Sequence, residues 1–533
     1  MYSLSWKKRA SIAFCLFLSY LTACRSQNQD SPTGHPPLPH TFSIIWQEPS
    51  TLDPACVDDI HGGNIISQVF DGLVALDSKL NIVPELARSW HISQNGCTYT
   101  FELEPSARFH NGRLITANDF VFSFTRLLGD GCGATSIGAE YLKDVVGISE
   151  FIAGKTKLVR GLQAPDPAHF IIQLQNPNTA LLGTLAMATF KVVPREAIGP
   201  NFARHPIGSG PFIFKEWKPG SVIRLSANPN YYRGPPKIRD VIFLLKNTGS
   251  PREELGMLFE NKVQMIQAIG EDPLVVKKRG FQIVKLNELS FHYLGFNVKI
   301  PPFDDVRVRK AIACSIKYAR FAVLEPMSYT PATGIIPPGM VGYSGGNRPY
   351  SYDPVAAAKL LMDAGYRDGH LNVDIEFPSY ANEDGVGSRT ETIITEDLSK
   401  IGLRLSKRYL PWQVYNKALT EKKLPIFRLA WIADLPDSSY LLRSLFYSNS
   451  YNNMFSFNDP NLDRIIDLAV AGFEPSQQES LCREAERRIL DQVPLIPLDF
   501  GCNIYALQPY VHGLELNPYG IGDMPLDNVW YEW

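Results

Sequence analysis

A mixed α/β fold divided into several domains is the architecture this sequence predicts, on three observations. At 533 residues the chain exceeds what a single hydrophobic core organises. Its composition is that of a globular protein, 45% hydrophobic and 20% charged. Short β-rich runs and well-signalled helices follow one another without strict βαβ alternation, which favours an α/β sandwich.

The first segment is an export signal rather than part of the fold. Lys7, Lys8 and Arg9 precede an apolar stretch from Ala10 to Tyr20. That stretch falls short of the roughly 20 apolar residues a membrane-spanning helix needs. It ends in Leu21-Thr-Ala-Cys24, which resembles a bacterial lipobox and makes Cys24 the expected lipidation site. The alternative is an ordinary cleaved signal in which Cys24 is incidental. Removing residues 1–23 takes the formal charge from −2 to −5. Residues 24–40, with prolines at 32, 36, 37 and 39, read as a lipidated tether that holds the folded body off the membrane.

Beyond the tether, strands are predicted at Thr41 to Trp46, Thr98 to Leu103, His169 to Leu174, Val222 to Ser226, Asp240 to Leu245 and Ile426 to Trp431. Thr116 and Asp119 approximate a capping box before Phe120 and Phe124. Asp353-Pro354 and Asp459-Pro460 each pair an N-cap with a first-turn proline, and Gly365 closes the first of these two helices. Pro301, Pro302 and Asp304 are expected to stiffen and cap the start of a helix running through Ile312.

Several function classes are disfavoured. The basic residues form no stripe of the kind nucleic acid requires. Six cysteines remain after Cys15 and Cys24 are set aside, with no CxxC pair and no Cys/His cluster, so no metal site is expected. Disulfides and small buried thiols are equally open readings for them. No nucleophile elbow, phosphate loop, HExxH or dinucleotide fingerprint is present, so neither an enzyme nor a cofactor is expected.

A series of segments, in order, resembles the extracellular solute-binding proteins of peptide and nickel importers, with oligopeptide-binding proteins the nearest. It runs from Glu48-Pro-Ser-Thr-Leu-Asp-Pro54 through Val83-Pro-Glu-Leu-Ala-Arg-Ser-Trp90 and Phe109-His-Asn-Gly-Arg-Leu-Ile-Thr-Ala-Asn-Asp-Phe120. It continues with Pro206-Ile-Gly-Ser-Gly-Pro-Phe212, Asn228-Pro-Asn-Tyr-Tyr232 and Pro301-Pro-Phe-Asp-Asp-Val-Arg-Val-Arg309, and ends at Trp431-Ile-Ala-Asp-Leu-Pro-Asp437. Most of these residues have structural work to do; Gly208 and Gly210, for example, are expected to allow turns that a Cβ would hinder.

The resemblance implies a two-lobed fold of the periplasmic-binding-protein type, hinged on two strands, with an extra inserted domain. Lobe 1 would comprise 41–72, 200–292 and 504–533, the inserted domain 73–199, and lobe 2 residues 293–503. It also implies the function: short peptides bound between the lobes and passed to the permease and ATPase subunits of an ABC importer. The receptor would be a monomer, lipid-anchored on the periplasmic or extracytoplasmic side. A nickel chelate, haem or a cell-wall peptide on the same scaffold stays open, as does, more remotely, a lipoprotein enzyme or adhesin.

Site residues follow from the same resemblance. A receptor for many peptides must read the backbone and the terminal charges, by strand addition and a fixed charge at each end. Asp434 matches the family aspartate that pairs with the ligand ammonium. Arg428, on the same face if the strand is regular, matches an arginine that reaches the carboxylate of a short peptide. Trp412 matches a pocket tryptophan. Ala430, Trp431 and Ile432 would offer main-chain partners, with Asp58, Ile60 and His61 opposite them on the first lobe. Between Asn382 and Thr390 the family can place a histidine for longer peptides; this chain has none, and Arg389 is a candidate substitute.

Overall fold

The computed structural model describes residues 38–129, 141–246, 250–269, 272–324, 326–346, 348–380, 386–472, 474–519 and 524–533. The export signal, Cys24 and the tether as far as residue 37 lie outside the described residues. Leu38, the first described residues' apolar side chain, already packs on a core.

One nine-stranded mixed sheet runs through the molecule. Numbered in chain order its strands are β1 (Thr41–Trp46), β2 (Phe212–Lys218), β3 (Val222–Ala227), β4 (Asp240–Leu245), β5 (Met265–Gln267), β6 (Gln282–Phe296), β7 (Thr330–Pro331), β8 (Ile426–Ile432) and β9 (Leu495–Leu507). The spatial order is β8-β6-β9-β5-β1-β4-β3-β2, with β7 added beside β9. β1 is parallel to β4 and β5, and the other pairings are antiparallel. β1 alternates half-buried and buried side chains, so Phe42, Ile44 and Trp46 face one core.

β6 and β9 cross from one half of the sheet to the other. Gln282 to Asn287 pair with Leu507 to Cys502, and Phe291 to Gly295 pair with Phe500 to Leu495. Between these stretches the register breaks, at Asn287/Phe291 and again at His292/Tyr293. An irregularity there interrupts the ladder and bends the strands locally. Phe42, Ile65, Phe243 and Met265 centre the core on one side of the break. On the other side Phe291, Phe427 and Phe455 pack on one face of the sheet, and Phe296, Ile426 and Ile496 on the opposite face.

A separate four-stranded antiparallel sheet (Ala87–Ile92, Thr98–Leu103, His169–Gln173, Leu162–Asp166) packs on the helix Ala117–Arg126. Its core is aromatic: Phe120 and Phe124 contact Phe170 at ring separations of 5.6 and 5.4 Å.

The local signals work as the sequence suggests. Asp353 accepts hydrogen bonds from the amides of Val355 and Ala356, and Gly365 follows that helix with φ 94°. Asp459 caps Pro460–Ala471 in the same way, and Thr116 with Asp119 forms a complete capping box. Two details differ. The helix Val306–Ser315 is capped by Asp305, whose carboxylate accepts the Arg307 amide, rather than by Asp304. Gly208 and Gly210 are required by close approach: a Cβ would stand 1.9 Å from the Val69 carbonyl oxygen at Gly208 and 2.7 Å from the Val69 carbonyl carbon at Gly210. Of the cysteines, Cys56 is in a disulfide, while Cys97, Cys314, Cys482 and Cys502 are reduced.

Candidate functional site

The site grows from the edge of the large sheet. β8 has β6 on one side and, among the described residues, no hydrogen-bonded strand on the other. Hydrogen bonds from the Ala433 amide to the Leu289 carbonyl (2.8 Å) and from the Asn297 amide to the Pro425 carbonyl (3.0 Å) bracket the pairing. Antiparallel strands alternate the direction of their amides, so the odd-numbered residues bond to β6 and Arg428, Ala430 and Ile432 turn theirs outward. The Arg428 carbonyl is already taken by the Tyr415 hydroxyl, at 2.8 Å. Among the described residues, no hydrogen bond from a side chain reaches the outward groups of Ala430 or Ile432. Exposure rises along the strand, from buried Arg428 through half-buried Ala430 and Trp431 to Ile432, which is 63% exposed.

Beyond the strand the chain turns at Ala433, and Asp434 follows it. The residue as a whole is exposed, while the surrounding protein raises the pKa of its carboxyl by desolvation, against a hydrogen bond from the Tyr141 side chain. Tyr141 belongs to the aromatic domain, so this bond joins that domain to the strand end. The Tyr519 hydroxyl donates to the Asp434 carbonyl at 3.1 Å. Asp437 caps the helix Ser438–Phe446, accepting the Tyr440 amide at 3.0 Å, and takes a second contact from the Thr179 hydroxyl at 3.4 Å. The loop carrying Asp434 is thereby held at both ends by the aromatic domain. Alongside it lies a cavity of about 460 Å³ lined by Tyr141, Asn178, Leu435, Tyr440 and Arg443 among others; none of the nine expected ligand-binding residues lines it.

At the buried end of β8 a different arrangement holds. The Arg428 Nε lies 3.3 Å from Oε1 of Glu391, which also accepts the Ser379 hydroxyl at 2.8 Å. Glu391 is fully buried on the helix Val386–Ser399. Its second oxygen, Oε2, has no hydrogen-bond partner among the described residues. The Arg428 guanidinium faces the Tyr380 ring at 5.9 Å, and Trp412 packs edge-on to Tyr380 at 5.0 Å. Trp412 keeps half its surface in solvent at the first position of Trp412–Thr420.

The first-lobe segment has its own partners. Asp59 caps the helix Ile60–Val69 through the Gly62 amide at 2.6 Å and also accepts the Ser50 hydroxyl and amide. Asp58 accepts the Ser50 hydroxyl at 3.3 Å, and Ile60 stands exposed. His61 sits edge-on against Trp46, whose indole donates to the His61 carbonyl at 3.0 Å. Burial pulls the His61 pKa down, against the pull of Asp59.

The structure thus groups the expected residues in three sets. Ala430 to Ile432 and Asp434 form one continuous edge, Arg428 and Trp412 meet through Tyr380, and Asp58 to His61 stand apart with no described hydrogen bond or ring contact to the other two. Because β8 ends at Ile432, Asp434 and Arg428 do not share one regular strand. Sequence reasoning missed Tyr141, Tyr519 and Glu391. For Glu391 a signal existed: it falls in helical register with Ile394 and Leu398, both buried, so a carboxylate stands on an apolar stripe. The tyrosines are brought in only by tertiary folding.

Comparisons agree with this architecture. The family model for bacterial extracellular solute-binding proteins, family 5, matches residues 81–453. Di/tripeptide-binding protein 2 of Pseudomonas aeruginosa is 28% identical over 83% of this chain and 85% of its own length. Heme-binding protein A of Haemophilus influenzae is 26% identical over 89% of each chain. Among solved structures, HbpA2 from Haemophilus parasuis superposes with a TM-score of 0.81 at 24% identity, over 92% of this chain and all of that one. Haemophilus influenzae OppA in complex with RPPGFSPFR gives 0.69 at 22%, over 93% of this chain and 100% of its own.

Proposed function

Because this chain belongs to the bacterial extracellular solute-binding proteins of family 5, we propose that it captures short peptides in a cleft between two lobes and hands them to an ABC importer. The lobes are 41–72 with 200–292 and 504–533 on one side and 293–503 on the other, and 73–199 is inserted in the first. They close by a pivot of β6 and β9 where the pairing is irregular. Delivery requires a permease and an ATPase in separate subunits. Lipidation of Cys24 and retention at the outer face of the membrane belong to this proposal and rest on the N-terminal sequence.

One observation carries the reading: an open sheet edge at Ala430 to Ile432 that leads directly to the Asp434 carboxyl. A peptide added as a strand gains main-chain hydrogen bonds whatever its side chains, and its ammonium meets a fixed negative charge. The di/tripeptide-binding relative from Pseudomonas aeruginosa supports the same class.

Native mass spectrometry against a library of peptides two to six residues long tests this. Mass shifts matching single peptides are expected. A shift matching haem or a metal chelate, with no peptide adduct, would transfer the scaffold to the solute named for its haem-binding relative.

A further inference from the structure

The aromatic domain touches both halves of the molecule, and the two contacts are built differently. On the half that holds β1 and β2 it is anchored by buried groups. Arg126 pairs with Asp53, Nη1 to Oδ1 at 2.6 Å, and both side chains are largely buried. The His110 ring is held by two backbones: its Nδ1 accepts the Gly208 amide at 3.3 Å and its Nε2 donates to the Gly210 carbonyl at 3.0 Å. Parting these groups would strand a buried charge and buried polar atoms, which fixes the domain on this half.

The contact with the other half is half-buried and mostly polar. The Thr179 hydroxyl lies 3.4 Å from Oδ2 of Asp437 and 3.2 Å from the Val470 carbonyl, and with one proton it serves one of them at a time. The Gln478 side-chain amide donates to the Thr179 hydroxyl and to the same Asp437 oxygen, each at 3.3 Å. Asp437 keeps Oδ1 for its own helix, where it accepts the Ser439 hydroxyl and the Tyr440 amide, so the cap is independent of this seam. The Tyr141 and Tyr440 rings stack at 6.2 Å, and Leu80 adds an apolar contact to the core around Phe291 and Phe427. Between these contacts lies the cavity of about 460 Å³, with Tyr141, Asn178 and Thr184 on one wall and Leu435, Tyr440 and Arg443 on the other. A seam interrupted by a cavity forfeits packing energy, and a polar inter-domain contact of this kind parts readily.

Asp437, Val470 and Gln478 sit on helices that pack on the core beyond the register break in β6 and β9, whereas Asp53, Gly208 and Gly210 lie before it. A rotation of the two halves about those crossing strands therefore has to open the Thr179 seam. We propose that the Thr179–Asp437–Gln478 contact is a clasp: the aromatic domain, carried by one half, fastens on the other and sets how often the two part. Asp434 takes its Tyr141 bond across the same seam, so opening the clasp uncovers that end of the β8 edge. This goes beyond the peptide-receptor reading and holds for any solute.

Thiol labelling tests it without a ligand. Thr184 is 3% exposed and lines the cavity from the aromatic domain, so Thr184→Cys places a reporter that a bulky maleimide reaches when the seam opens. The labelling rate at position 184, read by peptide mass mapping, is compared with and without Thr179→Val and Gln478→Leu in the same chain. Those two changes remove the hydroxyl and the amide of the clasp and leave Asp437 capping its helix. One hydrogen bond is worth roughly two- to ten-fold in an equilibrium constant, so the double change should speed labelling about ten-fold or more. Where the double change prevents folding, Gln478→Leu alone should speed it at least about two-fold. Equal rates in the folded variant and the clasp-intact chain overturn the inference and leave the seam a passive contact. No peptide enters this measurement, so failure of the two- to six-residue library would overturn the peptide reading and leave the clasp standing.

Discussion

Two acidic segments face different fates in this molecule. Around the helix Ile60–Val69, Asp59 precedes the first turn and Asp71 follows the last; past the end of β8, Asp434 precedes Asp437, which caps the next helix. Asp59 is occupied by the Gly62 amide and by Ser50. Asp71 is buried, accepts the Tyr231 hydroxyl at 3.1 Å, and sits near the Glu85–Lys191 ion pair. Both are committed to the scaffold. Asp434 takes one tyrosine bond on its side chain, is exposed as a residue and borders a strand edge unpaired among the described residues. Asp59 is spent on local donors and Asp71 is sealed in the interior, where burial pushes it toward its neutral form, whereas an exposed carboxylate beside a strand edge can hold a guest.

The comparison breaks first at Asp434. Asp434→Asn keeps an oxygen for Tyr141 but removes the charge that an ammonium would meet. Peptide affinity should fall ten-fold or more in calorimetry, about 1.4 kcal/mol at least, with thermal stability little changed. Wild-type affinity should also decline on acidification, since the carboxyl of Asp434 is raised and gains its proton at a higher pH than an ordinary aspartate. The Asn variant should lack that decline. Equal affinities for the two proteins would show that the ammonium is read elsewhere.

Asp71 should report through stability instead. Burial, reinforced by the charge of Glu85, pushes its pKa up to about 8. The folded state therefore holds a proton that the unfolded chain releases near pH 4. A raised carboxyl makes the fold bind more protons than the unfolded chain, so stability is greatest below pH 4 for this group and is lost as pH rises toward 8. Asp71→Asn mimics the protonated form and should flatten that slope in melting curves between pH 5 and pH 8. An unchanged slope in the variant would mean that Asp71 is charged in the fold and held by Lys191 and Arg233.

Asp59→Ala sharpens the contrast at smaller scale. Loss of an N-cap costs about 1 kcal/mol, so the melting temperature should drop while peptide affinity stays within error. An affinity loss as large as that of Asp434→Asn would move the first-lobe segment from scaffold to ligand site.

The same distinction explains how much could be read before the structure. Strand ends at Thr41 and Trp46, and helix caps at Asp353 and Asp459, rest on local chemistry: alternation, caps and first-turn prolines act within a few residues. The edge at Ala430 to Ile432 was reachable because its strand carries its own pattern. The state of Arg428 was not, since its partner Glu391 lies 37 residues away on another element. Tyr141 reaches Asp434 from a different domain, and no spacing rule connects them. Asp304 and Asp305 offer the same side chain to the helix start, and only the turn geometry selects Asp305.

The smallest expected effect tests the edge itself. Ala430 turns its amide away from β6, so Ala430→Pro deletes an outward donor without removing a ladder bond, a position where an edge strand tolerates proline. One main-chain hydrogen bond contributes about 0.5–1.5 kcal/mol net, so peptide affinity should fall by a few-fold, less than in Asp434→Asn. Leu429→Pro is the matched control: its amide bonds to β6, so the substitution should lower stability rather than act selectively on binding. If Ala430→Pro binds peptides as the wild type does while Leu429→Pro behaves as expected, the guest does not pair with this edge. The charge at Asp434 would then have to locate the ligand without an added strand.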